Sequence, residues 1–107
     1  MKLDLLRSVL TKRINLHLED PVIMDCWEKE AEILSENVSE TIEFFKHECT
    51  DEELAWLCEV FDTVIEKTQS SELISVWENR LQGIQDDEDR KNIETDILFA
   101  KNKLDLK

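Results

Sequence analysis

The sequence predicts an all-α fold: about six antiparallel helices in a compact bundle, with solenoid-like hairpins of the HEAT or armadillo kind. Three observations carry that expectation. One Gly and one Pro among 107 residues cannot supply the turns that a hairpin-rich β fold demands. Apolar residues recur three and four positions apart in nearly every segment, the period of a helix with one buried face. The links between segments are short, so successive helices are expected to lie antiparallel. The chain reads as a single domain, 1–107, whose 41% hydrophobic content is enough for a core. A chain of this size buries roughly 65% of its unfolded surface.

The first helix is expected at 2–16, with Leu3, Leu6, Val9, Leu10 and Ile14 inward. The alternation "INLHL" at 14–18 is compatible with a short strand, but no nearby segment offers it a pairing partner. Asp20 followed by Pro21 marks the next start, an N-cap and a proline at the first helical position. This second helix runs to about Ser35 and turns Ile23, Cys26, Trp27, Ile33 and Leu34 inward. Asn37 with Glu40 fits a capping box that opens a third helix, with Val38, Ile42 and Phe45 inward. Thr50 with Glu53 is a second box and opens a fourth, 51–68, built on Leu54, Leu57, Cys58, Phe61, Val64 and Ile65. Ser70 or Ser71 caps the fifth, whose inner residues are Leu73, Val76, Trp77 and Leu81, with Gly83 as an expected left-handed stop. "QDDEDR" places acids at the start of a sixth helix, where the macrodipole favours them, and Ile93, Ile97, Ala100 and Leu104 form its inner face.

Charge divides the chain into three parts. The net charge is −13, yet residues 1–18 carry +3, residues 90–107 carry +2 and residues 19–89 carry −18. A middle this acidic repels nucleic acid and anionic lipid and attracts basic partners. The charged N-terminus has no apolar stretch of secretory type, and no apolar run approaches a membrane span, so a cytoplasmic protein is expected. Cys26, Cys49 and Cys58 form no CxxC pair and are expected as reduced, partly buried thiols.

The signatures of catalysis and cofactor binding are missing. Gly83 alone cannot build a phosphate-cradling loop. "DDEDRKNIETDI" lacks the Gly and the final Glu of a calcium loop. Neither His17 nor His47 follows a Glu by three residues, as a di-iron bundle requires, and "HEC" at 47–49 with Cys58 leaves a zinc site one ligand short. No enzyme, metal or cofactor is expected.

What remains is an acidic ridge. Glu59, Asp62 and Glu66 succeed one another at i,i+3 and i,i+4 on the fourth helix, and Glu28 and Glu32 repeat the spacing on the second. Like charges so placed cost about 0.2–0.5 kcal/mol per pair. Glu52 joins the ridge, and the turn before the sixth helix adds Asp86, Asp87 and Asp89. Trp56 lies at its margin on the helical wheel, either packing on the third or fifth helix or serving as an aromatic anchor at an interface. Docking of a cationic protein would relieve the self-repulsion and be steered by it.

The segment "TDEELAWLCEVFDTVIEKTQSSELISVWENRL" and the following "NIETDILFAKNKL" resemble, in rhythm and composition over 45–104, small helical immunity proteins encoded beside bacterial polymorphic toxins. Those of contact-dependent growth inhibition systems are included. The resemblance implies a monomeric inhibitor that binds one cognate toxin domain 1:1, a cationic nuclease in many cases. It transfers no residue role. The alternative is a nucleic-acid mimic or regulatory adaptor that occupies a basic host protein.

Overall fold

Start signals written in the sequence become hydrogen bonds in the computed structural model, which describes residues 1–104. Asp105 and Lys107, part of the basic C-terminal segment, lie outside the described residues. Helix α1 spans Leu3–Ile14 and ends two residues before the expected limit. The stretch that could have been a strand is a turn, with Leu16 N donating to Arg13 O at 3.2 Å and Asp20 N to His17 O at 2.9 Å. Helix α2 spans Val22–Glu36, so Pro21 stands at the cap position rather than first in the helix, and the Asp20 carboxylate one residue earlier accepts from Val22 N at 2.9 Å.

Helix α3, Val38–Glu43, opens on half of its expected box. Asn37 accepts from Glu40 N at 3.1 Å, but the Glu40 carboxylate turns instead to the N-terminal amine. A wider π-type turn, Phe44–Glu48, follows and drops both Phe44 and Phe45 into the core. Helix α4, Asp51–Leu57, has the complete box: Glu53 N donates to the Thr50 hydroxyl at 3.1 Å and Thr50 N to the Glu53 carboxylate at 3.0 Å.

The expected continuous fourth helix is interrupted. A 3₁₀ turn at Cys58–Val60 separates α4 from α5, Phe61–Thr68. The tighter winding shifts the angular phase of everything after it, so a wheel drawn through 51–68 misplaces the outer residues. Counting α4 and α5 as one bent helix leaves six helices among the described residues, with no strand.

Helix α5 stops at Gln69, whose φ of 54° is the left-handed conformation predicted for Gly83. Gly83 itself has negative φ, and its N–H donates to Arg80 O at 3.0 Å after α6, Ser71–Leu81. A left-handed non-glycine residue costs roughly 1–2 kcal/mol. Gln69 offsets it through its amide, which donates to Ile65 O at 3.1 Å and Lys103 O at 2.8 Å. Helix α7, Asp87–Lys101, begins with Asp86 accepting from Asp89 N at 3.0 Å and carries Asp87, Glu88 and Asp89 in its first turn.

Helix α5 packs on α7 and α2, α1 on α2 and α4, and α6 on α7. Solenoid stacks confine contacts to neighbours in the chain, whereas here α1 meets α4 and α2 meets α5. The architecture is a compact helical globule of 37 × 30 × 25 Å. Its centre is aromatic: Phe61 and Trp77 stack at 3.8 Å, 5° from parallel, and Phe45 meets Trp77 edge-on at 5.6 Å. No helix among the described residues is long and apolar enough to cross a membrane.

Candidate functional site

Trp56 is placed by the last turn of α4, just before the helix tightens at Cys58. The ring is half-buried and packs against the core. It borders a groove of about 520 Å³ formed between α4 and the 84–89 turn, lined by Asp51, Glu52, Ala55, Trp56, Glu59, Ile84, Gln85, Asp86 and Asp89. Five of the ten predicted interface residues therefore converge: Glu52, Trp56, Glu59, Asp86 and Asp89. They come from stretches some thirty residues apart, brought together because α7 packs on α4 and on the 3₁₀ turn. On its other side Trp56, with Glu52, joins a smaller apolar depression lined by Leu10, Thr11 and Ile14 of α1.

The groove is unevenly neutralised. Asp51 accepts from Arg80 Nη2 at 2.8 Å, and the same guanidinium donates to Phe45 O. Asp86 uses one oxygen to cap α7. Glu52, Asp86 and Asp89 have no cationic partner among the described residues.

Glu59, like Asp51, is paired, and the ridge premise fails at this residue. Arg13 reaches it from α1 through two donors, Nη2 at 2.7 Å and Nε at 3.1 Å, and Trp27 Nε1 donates to it at 2.8 Å. Glu59 thus faces the groove and is also the acceptor of an internal ion pair. The Arg13 side chain is buried, and its guanidinium lies over two rings, 5.1 Å from the Trp56 centroid and 5.7 Å from that of Trp27. Both distances are within cation–π range. Trp27, expected in the core, is half-buried and belongs to this cluster, whereas Trp77 is fully buried as expected.

Behind the pair sits Glu30, 0% exposed, with neither carboxylate oxygen hydrogen-bonded. Burial pushes its carboxyl up to about 7; the Glu59 charge pushes the same way and Arg13 opposes it. On the far side of the 3₁₀ turn, burial likewise raises Asp96 on α7, opposed by the Cys58 thiol and reinforced by Asp62 and Glu59. Burial foremost, with Asp96 next, raises the Cys58 thiol, and burial pushes Cys49 up to about 12. All three cysteines are free and buried. Among the described residues, no three of His, Cys, Asp and Glu form a group that could hold a metal ion.

The other predicted residues scatter. Glu28 and Glu66 line a shallow groove with Met24, Trp27, Thr63 and Lys67. Glu66 pairs with Lys103 at 3.4 Å and Glu32 with Lys29 at 3.8 Å. Asp62 is half-buried and accepts from Thr63 N at 2.9 Å, and Asp87 is exposed outside the groove. The basic chain ends account for much of this neutralisation. Lys2 pairs with Glu36, Arg7 with Glu53, Arg13 with Glu59, Lys101 with Glu78 and Lys103 with Glu66. Burial alone would raise Glu53, but its bonds from Arg7 and Thr50 hold it below the ordinary carboxylate value. The ridge is therefore not one continuous row of repelling carboxylates. Of the predicted acids without a salt bridge among the described residues, Glu52, Asp86 and Asp89 gather at the Trp56 groove, whereas Glu28, Asp62 and Asp87 stand apart from it.

No family model, no curated protein and no solved structure matches this chain.

Proposed function

We propose that the chain is a non-catalytic binding protein whose Trp56 groove docks a cationic protein domain. One observation carries the reading: Glu52, Asp86 and Asp89, carboxylates without cationic partners, converge on a half-buried tryptophan at one concave surface. An exposed acidic patch alone would serve solubility equally well. The aromatic and apolar lining of Trp56, Ala55 and Ile84 supplies what solubility does not need, a surface that gains from being dried. Tryptophan and arginine are favoured anchors at interface centres, and a partner arginine above the Trp56 ring would meet carboxylates on both walls.

The resemblance to immunity proteins of polymorphic toxins names the partner: one cognate toxin domain, a cationic nuclease, bound 1:1 by a monomer in the cytoplasm. A nuclease presents positive charge to phosphate, and an acidic groove competes for that surface. No cofactor enters the reading.

The test is to look for a toxin gene beside the one that encodes this chain and to titrate its toxin domain directly with the protein. Stoichiometric loss of nuclease activity is expected. The association rate should fall as salt shortens the Debye length from about 30 Å at 0.01 M to about 8 Å at 0.15 M. Inhibition with a salt-independent association rate would place the contact away from the acidic groove. Absence of binding would remove the toxin reading altogether.

A further inference from the structure

The cluster behind the groove holds two carboxylates and one guanidinium, and only one carboxylate is satisfied. We propose that Glu30 and Glu59 exchange the Arg13 guanidinium in a proton-linked switch, which sets whether Glu59 is held in the cluster or released to the Trp56 groove. The consequence for docking rests on the reading of that groove given above; the exchange itself does not.

The geometry starts with α2. Glu30 lies on the same stripe as Cys26, Ile33 and Leu34, so the helix carries it inward with them. The charged groups that face it are Arg13 from α1 and Glu59 from the 3₁₀ turn. The other elements packed on α2 send inward Thr41 and Ile42 from α3 and Phe61, Val64 and Ile65 from α5, none of them charged. A buried carboxylate without a donor is strongly disfavoured, so in the arrangement observed Glu30 is at home in its neutral form.

Arg13 has the capacity to change partner. Its Nε and Nη2 serve Glu59, while Nη1 makes no hydrogen bond among the described residues. The guanidinium lies over both the Trp27 and the Trp56 rings, at 5.7 and 5.1 Å from their centroids, and these contacts do not depend on which carboxylate it serves. When Glu30 gives its proton to solvent, the cluster contains two anions and one cation. The fully buried anion then has the stronger claim on the cation, because Glu59 is 28% exposed and has water as an alternative. Glu59, already a lining residue of the groove, is freed toward it, and the groove gains a carboxylate. The transition follows the Glu30 proton, near the value of about 7 to which burial raises that carboxyl.

The indole of Trp27 reports the exchange, because its N–H donates to Glu59. In ¹H–¹⁵N spectra of the free protein from about pH 5 to about pH 9, the Trp27 indole resonance is expected to shift with one midpoint near 7. Trp77, in the apolar core, is the internal control. The shift should vanish in Glu30→Gln. A Trp27 resonance that stays fixed in the wild type overturns the proposal, and so does an unchanged titration in Glu30→Gln. A tetra-arginine peptide then probes the groove. Its affinity is expected to rise about three- to fivefold across the transition, the worth of one further exposed ion pair, and to stay level in Glu30→Gln. A level affinity in the wild type, with Trp27 titrating, overturns the release of Glu59 to the groove. If the peptide binds at no pH while Trp27 titrates, the exchange stands and the docking reading falls.

Discussion

Trp77 and Trp27 occupy two neighbourhoods built on opposite physical terms. Trp77 is fully buried, stacked on Phe61 at 3.8 Å and met edge-on by Phe45, so its surroundings are carbon. Trp27 is half-buried and its N–H is committed to Glu59, which it shares with a guanidinium that also lies over Trp56. The first arrangement gains from each apolar atom removed from water, against the cost of a Trp77 Nε1 that is buried without a hydrogen-bond partner, and it is indifferent to pH. The second holds charges where water is scarce, and its energy depends on which protons are present. The difference separates the part of the molecule that makes it fold from the part free to respond.

The sharpest way to break that contrast is to remove a ring from the carbon side. Phe61→Ala takes away the Trp77 stacking partner and leaves a cavity, for which about 3–5 kcal/mol of destabilisation is expected by urea unfolding. The loss should be the same at pH 6 and pH 8, because the Phe45 and Trp77 rings that Phe61 touches carry no titrating charge in that range. A loss that varied with pH would show the two neighbourhoods to be coupled.

The next effect belongs to the charged side and has a defined sign. Glu30 is raised in the folded state from an ordinary 4.5 to about 7, so the folded protein holds a proton that the unfolded chain has released between those values. Stability from this group is therefore full below about pH 4.5, declines as pH rises and is lost above about 7. The decline amounts to roughly 3 kcal/mol, from the difference between 4.5 and about 7. Glu30→Gln lacks this slope. It should match the wild type near pH 4.5 and exceed it in stability at pH 8, read from urea midpoints at each pH. A variant less stable than wild type at pH 8 would mean that the ionised carboxylate has found a better partner than an amide can be.

Much of this contrast was available in the sequence, and what was not has a physical cause. Leu6, Leu10 and Arg13 share one stripe of α1, as Cys26, Glu30 and Ile33 share one of α2. Two buried positions of opposite charge on adjacent helices were thus readable from the same periodicity that located the core. Helix starts near Asp20, at Thr50, at Ser70 or Ser71 and within QDDEDR were legible because a cap is local chemistry, and the fold settles the last two on Ser70 and Asp86. The 3₁₀ turn at Cys58–Val60 was not, since no Gly or Pro marks it and tertiary packing sets the pitch there. Its phase shift is why Glu59 looked continuous with Asp62 and Glu66, which share α5 beyond the turn. The pairing of the chain ends with the acidic middle is a property of the folded topology, and spacing along one helix contains no trace of it.

A third intervention sharpens the comparison by touching the groove alone. Glu52→Lys with Asp89→Lys reverses two carboxylates that have no cationic partner, on exposed positions of α4 and α7. Affinity for a cationic toxin domain should fall at least about tenfold, roughly 1.4 kcal/mol, measured by calorimetry. Thermal stability should fall modestly while the fold is kept, because both positions lie in first helical turns, where the macrodipole favours an acid by about 0.3–1 kcal/mol each. Undiminished affinity would locate docking elsewhere, with the shallow groove of Glu28 and Glu66 the next surface to alter.

The smallest expected effect tests whether an acid on the α5 face differs from one in the groove. Glu66 pairs with Lys103 at 3.4 Å, and both side chains are largely in water, 66% and 45% exposed. Ion pairs in that setting gain little from Coulomb attraction, because solvent screens it and ordering two long side chains opposes it. Glu66→Gln should therefore change stability by less than about 1 kcal/mol. It should also leave affinity for a cationic domain unchanged, because the nearby Lys67 and Lys103 already soften the negative potential there. The paired measurement is the informative one. Equal losses of affinity from Glu66→Gln and from neutralising Glu52 would mean that net charge attracts the partner, and the groove would have no special standing. A loss confined to Glu52 would tie recognition to the place where carboxylates without cationic partners and an aromatic ring share one concave wall.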